Sequence, residues 1–173
     1  MAEDGPEVLR RCERFVYDEA ELLDGGDFES WLELFSADAV YWLPVDTTRH
    51  EPRGGLNIIY DDRRRLEDRI RRLRSGFSHT EDPPSRTSHL IGNVRCIGVD
   101  EATTVVSWVP LDDDDVVVGA RMIGARIRRE HTDVFHGRVV WVLRRAGSRF
   151  AIRVKRVDLL DADRPLPVLT SVL

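Results

Sequence analysis

Ser78-His-Thr-Glu-Asp-Pro-Pro-Ser-Arg-Thr-Ser-His-Leu-Ile-Gly-Asn-Val94 divides the chain into halves of different periodicity. Before it, apolar residues recur at helical spacing; after it, they alternate as in sheet. Pro83 and Pro84 each fix φ and push the preceding residue out of the α region, so no helix continues through them. Alternation starts at Ser88, with His89, Ile91, Asn93 and Ile97 on one parity and Leu90, Val94 and Cys96 on the other. This predicts the first long strand of a later sheet. A stiff polar connector carrying Glu81, Asp82 and Arg86 precedes it, with groups suited to gripping a partner.

Upstream of the connector, Val8, Cys12, Phe15, Val16, Glu19 and Leu23 recur at spacings of three and four, which predicts a helix from about Glu7 to Leu23. Glu19 is the one charged member of that stripe. Gly25-Gly26 ends the helix, and Asp27 stands as the N-cap of a short second one carrying Phe28, Trp31, Leu32 and Phe35, with its stop near Ser36-Ala37-Asp38. Ala39-Val-Tyr-Trp-Leu-Pro-Val45 is apolar on both parities and reads as a short strand covered on both faces. Residues 46 to 57 carry loop chemistry. A third helix is expected from about Asp61 to Ser75, burying Leu66, Ile70, Leu73 and Phe77, with seven arginines interleaved with Glu67 and Asp68 on its other faces. That mixture predicts a solvated or subunit-facing surface.

Downstream, Thr103 to Val109 reads as a second strand of the later sheet, and the acids Asp112 to Asp115 as a solvated hairpin tip. The run lacks the alternate ligand spacing, sixth-position glycine and twelfth-position glutamate of an EF-hand calcium loop. Further strands are expected within Val116–Arg129, where Gly119 and Gly124 mark bends or bulges, and over Val134–Arg145 and Phe150–Leu160. In the last, Phe150, Ile152 and Val154 differ in parity from Val157 and Leu159, which calls for a bulge near Lys155-Arg156. The apolar tail from Asp163 to Leu173 is expected to pack on the rest of the chain.

At 173 residues and a formal charge of −5, the chain is expected to form a single domain, 1–173, with no affinity for nucleic acid. No run approaches the roughly 18 apolar residues of a membrane span, and the acidic start is unlike a signal peptide, so no membrane association and a cytoplasmic location are expected. Cys12 and Cys96, the only cysteines, are expected as two buried free thiols. Of the 26 basic residues, Lys155 alone is not arginine. Three helices followed by antiparallel strands predict an α+β domain whose curved sheet wraps the helices.

Five stretches carry a resemblance to a known family. They are Glu19-Ala-Glu-Leu-Leu-Asp24 with Phe28-Glu-Ser-Trp-Leu32, Tyr41-Trp-Leu-Pro-Val45, Arg69-Ile-Arg-Arg-Leu-Arg-Ser-Gly76, Glu81 to Val94, and Phe135-His-Gly-Arg138 with Val142-Leu-Arg-Arg145. Through them the sequence resembles the small (beta) subunit of the aromatic-ring-hydroxylating dioxygenases, oxidoreductases of aromatic hydrocarbon catabolism. The resemblance implies the cystatin-like cone shared with nuclear transport factor 2 and the ketosteroid isomerases. It also implies a structural, non-catalytic role, self-association as a trimer within a hexamer, and a large (alpha) subunit as partner. That partner would hold a Rieske [2Fe–2S] cluster and a mononuclear iron. This chain is expected to hold no cofactor, because a Rieske centre needs paired Cys and His motifs and here the two cysteines are isolated. His79, His89, His131 and His136 make no convincing iron triad. Glu81, Asp82, Arg86 and His89 are the expected subunit-interface residues. The alternative is a stand-alone dehydratase or isomerase of the same fold, with Asp38, Tyr41 and His89 as its acid/base set.

Overall fold

The computed structural model describes residues 5–74, 84–166 and 173. Their elements run α1 (Gly5–Asp24), α2 (Phe28–Glu33), β1 (Phe35–Pro44), β2 (Asn57–Asp62), α3 (Arg63–Arg74), β3 (Arg86–Cys96), α4 (Val99–Val105), β4 (Asp115–Arg128), β5 (His131–Ala146) and β6 (Arg149–Leu159). The strands form one six-stranded sheet in the order β2-β1-β6-β5-β4-β3. Neighbours are antiparallel except β1 and β6, which run parallel. The main core joins the inner face of this sheet to α1, α2 and α3 through Val16, Trp31, Tyr41, Leu66, Trp141 and Ile152. This is the expected α+β arrangement of helices held in a mainly antiparallel sheet.

α1 buries Val8, Cys12, Val16, Glu19, Ala20 and Leu23. It ends where Gly26 takes a φ of +69°, a conformation that glycine adopts without Cβ strain. Asp27 caps α2 as expected, its carboxylate accepting from the Ser30 N–H at 3.1 Å. Of the tail, Leu166 packs against the main core and Leu173 is buried, its N–H and C=O both bonding the Tyr41 hydroxyl, while residues 167–172 lie outside the described residues.

Several elements differ from the sequence reading. Thr103–Val109 lies in α4 and the turn after it, not in a strand. Asp100 and Glu101 occupy that helix's first turn, where its dipole favours them, and Thr103 and Thr104 bond back to the Asp100 carbonyl. Ala102, Val105, Val106 and Val109 then form a helical stripe that packs on Val117, Val140, Val142 and Val154, on the sheet's other face. A run of β-branched residues satisfies both periods, and here the tertiary surface decided between them.

Ser36, Ala37 and Asp38 do not end a helix; they open β1. Asp61 and Asp62 end β2, a strand the sequence reading did not contain, and α3 starts at Arg63, with the Asp62 carboxylate accepting from the Arg65 N–H. The bulge in β6 falls at Arg153, two residues before Lys155. It does return Phe150 and Ile152 to the same core as Val157 and Leu159, but it sends Val154 to the opposite face. β4 pairs with β5 without a register break, so Gly119 and Gly124 are not bulges in that ladder. They make room instead: a Cβ on Gly119 would meet the Ile97 side chain at 2.7 Å, and one on Gly124 the His89 ring at 3.3 Å.

The acidic run is not a free tip. The Asp115 side chain is fully buried and takes Arg144 and Arg153, and Asp112 also pairs with Arg144. Of the cysteines, Cys12 is buried but Cys96 is exposed, because it falls at the end of β3. Phe77 lies outside the described residues.

Candidate functional site

α1 and β6 face one another across the core, and each contributes one charge to it. Glu19 and Lys155 pair at 2.6 Å with side chains 2% and 3% exposed. The same carboxylate accepts from Trp31 Nε1 at 2.9 Å and Trp141 Nε1 at 2.8 Å. Lys155 Nζ stands 5.7–5.9 Å from the ring centroids of Trp31, Tyr41 and Trp141, within cation–π range. Burial pushes the Lys155 ammonium below its ordinary value, and Glu19 opposes that shift. Three donors therefore occupy a carboxylate at the centre of the cone, and three rings surround its counter-charge. This arrangement fixes α1 against the sheet and offers no free acid or base to a substrate.

The dehydratase set does not assemble. Asp38 is on β1 with its side chain 56% exposed, bonded to Ser36 and Arg153. The Ser36 hydroxyl, and secondarily Arg153, hold its carboxyl below the usual range. Tyr41, three residues on, projects to the opposite face and is fully buried; burial pushes its phenol upward, and its hydroxyl is held by Leu173. A deprotonated Tyr41 is thus disfavoured. Three surface clefts of about 520, 580 and 340 Å³ are lined by none of Asp38, Tyr41 and His89.

Of the expected interface set, Glu81 and Asp82 lie outside the described residues. Arg86 opens β3 with an exposed side chain. The His89 ring instead turns inward, only 2% exposed, with Nδ1 2.6 Å from Asp24 Oδ1. The second Asp24 oxygen accepts from the His89 N–H at 2.7 Å, so the end of α1 is clamped to the edge strand β3. The ring that was expected to meet a partner is therefore committed within the chain. Asp24 acts there as the acceptor for a neutral imidazole.

Burial pushes the His89 pKa below 6.5, opposed by Asp24; Lys155 and Glu19 also act on the ring. A His with a depressed folded pKa contributes stability that is present above its unfolded pKa and lost as pH falls through the folded one. The melting temperature is therefore expected to fall as the pH drops below about 6.5, the unfolded value, and His89→Gln to flatten that slope. Equal slopes in the two proteins would show that His89 is not the titrating group.

A second feature lies on the outer face of β3, β4 and β5. Leu90, Ile123, Ile127 and Val134 are 67%, 51%, 37% and 53% exposed. Leu90 is paired with Ile123, Val134 with Ala125, and Arg86 with Ile127, so these side chains form one contiguous patch. Arg86, Arg121 and His136 are exposed around it. A clustered apolar face rimmed by polar groups is the mark of a protein contact. The sequence reading missed it because alternation identifies two faces without saying that both are apolar. Many arginines of α3 are bonded within the chain: Arg69 to Asp61, Arg71 to Asp68, Arg63 to Glu67 and to two backbone carbonyls. Among the described residues, no three of His, Cys, Asp and Glu come together as a metal site.

Residues 18–163 match the family described as the ring hydroxylating beta subunit. The 2-halobenzoate 1,2-dioxygenase small subunit of Burkholderia cepacia is 42% identical over 88 residues, 48% of this chain and 53% of that one. The small oxygenase component of the p-cumate 2,3-dioxygenase system of Pseudomonas putida is 31% identical over 88% of this chain and 80% of its own. Among solved structures, the beta subunit of benzoate 1,2-dioxygenase from Burkholderia mallei is 28% identical, with a TM-score of 0.67 over 87% of this chain and 89% of that one. A putative scytalone dehydratase from Novosphingobium aromaticivorans shares the fold alone: 14% identity and a TM-score of 0.63 over 92% of this chain and 88% of that one.

Proposed function

This chain belongs to the ring hydroxylating beta subunit family, and from that premise we propose that it is the small subunit of an aromatic-ring-hydroxylating dioxygenase, a scaffold for a catalytic large subunit. The observation that carries this reading is the family match over residues 18–163. The interior agrees with it. Glu19, Lys155, Trp31 and Trp141 are bonded together in the core, with the Tyr41 ring against Lys155, and leave no free acid or base among them. The dioxygenase chemistry, with its Rieske [2Fe–2S] cluster and mononuclear iron, belongs to the large subunit. The complex is cytoplasmic, and this chain forms its trimeric layer within a hexamer.

The outer apolar face of β3–β5 supports assembly by taking a second copy of the chain, and Arg86, exposed at the start of β3, contacts the large subunit, as Glu81 and Asp82 would from the sequence before it. An arginine desolvated in an interface makes paired bonds to carboxylates or carbonyls, and truncating it costs roughly 2 kcal/mol or more. Arg86→Ala is therefore expected to weaken binding to the large subunit roughly 30-fold or more, seen as lost co-elution, leaving the thermal melt of the isolated chain unchanged. A lowered melt with normal co-elution would make Arg86 an internal structural residue and remove the connector from the interface.

A further inference from the structure

The cleft of about 580 Å³ lies between α1 and the start of β6, and both elements bring positive charge to it. Arg11 and Arg14 enter from α1, three residues apart and so on one side of that helix, and Arg149 enters from the first position of β6. Asp18 is the one carboxylate in the lining. It approaches Arg14 only to 3.7 Å, with the two side chains 70% and 85% exposed, a pairing that does little to hold either. Three guanidiniums thus share a cleft with one loosely paired acid.

The same cleft has an apolar floor. Phe15 is half-buried and Phe150 buried, and their rings meet edge to face with centroids 5.9 Å apart. Arg11 is fixed above this floor: its guanidinium stands 5.1 Å from the Phe150 ring centroid and donates to the Ser148 carbonyl at 3.2 Å. Arg14 and Arg149 are exposed, so their planar forks can turn toward a guest.

We propose that this cleft binds an organic anion, a flat apolar body bearing a carboxylate or sulfonate, with the body against Phe15 and Phe150 and the charge met by Arg14 and Arg149. A guanidinium is weakly hydrated and makes paired bonds to such oxygens, and a cleft of this volume takes a small organic molecule. An inorganic anion would leave the rings uncovered, and a neutral aromatic would leave the guanidiniums without a counter-charge. The chain as a whole carries a formal charge of −5, so affinity for an anion arises from this local grouping and not from the overall field. The site is separate from the β3–β5 face: none of Leu90, Ile123, Ile127 and Val134 lines it.

The test is a fluorescence titration of the full chain with 1-anilinonaphthalene-8-sulfonate, set beside N-phenyl-1-naphthylamine, which has the same rings and no sulfonate. The expected result is one sulfonate dye bound per chain, with the neutral dye weaker by at least about tenfold. Arg14→Ala and Arg149→Ala should each weaken the sulfonate dye roughly tenfold and leave the neutral dye and the thermal melt unchanged, because both side chains are exposed. Arg10→Ala removes an α1 guanidinium that pairs with Glu7 outside the cleft, and should change nothing. Absence of binding, equal affinity for the two dyes, or sulfonate binding that survives both Arg14→Ala and Arg149→Ala would overturn the proposal; the last two would place the dye on an apolar surface such as the β3–β5 face.

Discussion

Glu19→Ala is expected to cost roughly 3–5 kcal/mol of stability, because it leaves the Lys155 ammonium buried without its counter-charge. In a domain of this size that is a fall of roughly 10–15 °C in melting temperature. The cost arises mainly from what remains. Lys155 is 3% exposed and cannot turn to water, and the Trp31 and Trp141 N–H groups lose the acceptor they share. Glu19→Gln should be milder, since an amide oxygen can still accept while the ammonium remains uncompensated. The double change of Glu19 and Lys155 to methionine should recover most of the loss, as buried ion pairs replaced together by apolar residues often do. Urea unfolding of the parent, Glu19→Met, Lys155→Met and the double variant gives the coupling energy. If Glu19→Ala lay within about 1 kcal/mol of the parent, the buried pair could not be holding α1 to the sheet.

Ile123→Asp is expected to abolish self-association while leaving the fold in place. Ile123 faces outward between Leu90 and His136 and is half exposed, so the isolated chain should lose no more than about 1 kcal/mol, the span of strand propensity. In an assembled interface the same carboxylate would be desolvated in the middle of an apolar patch. Loss of a central contact typically costs 2 kcal/mol or more, which is roughly 30-fold in affinity. Sedimentation of both proteins at matched concentrations measures this directly. An unchanged oligomer would move the contact surface away from β3–β5, and a collapsed melt would mean that Ile123 supports the fold itself.

Much of the fold was legible in the sequence where one period dominated. The stripe from Val8 to Leu23 and the alternation within Val116–Arg145 each had a clear repeat, and Asp27 and the doubly apolar Tyr41-Trp42 carried local signals of their own. Thr103–Val109 did not, because a run of threonine and valine fits either period, and only the apolar outer face of β4–β6 selected the helix. β2 was invisible for a different reason: Ile58 and Ile59 are too few to display alternation, and pairing with β1 supplies the remainder of the signal.

The central ion pair left a trace that could be read. Glu19 was the one charge in an apolar stripe, and Lys155 the one lysine among 26 basic residues, set in an apolar strand. Nothing in their separation along the chain says that they meet. The clamp of Asp24 on His89 had no such trace, and for that reason His89 read as a partner contact when its ring is bonded within the chain.

The most direct test of the scaffold reading is to co-express this chain, carrying the only affinity tag, with the large subunit of an aromatic-ring-hydroxylating dioxygenase, and to weigh the purified assembly by native mass spectrometry with iron counted per subunit. The account predicts a complex of equal numbers of the two chains, three of each, with all its iron in the large subunit and no turnover of aromatic compounds by the tagged chain alone. Recovery of this chain as a free monomer that turns over a substrate unaided would contradict it.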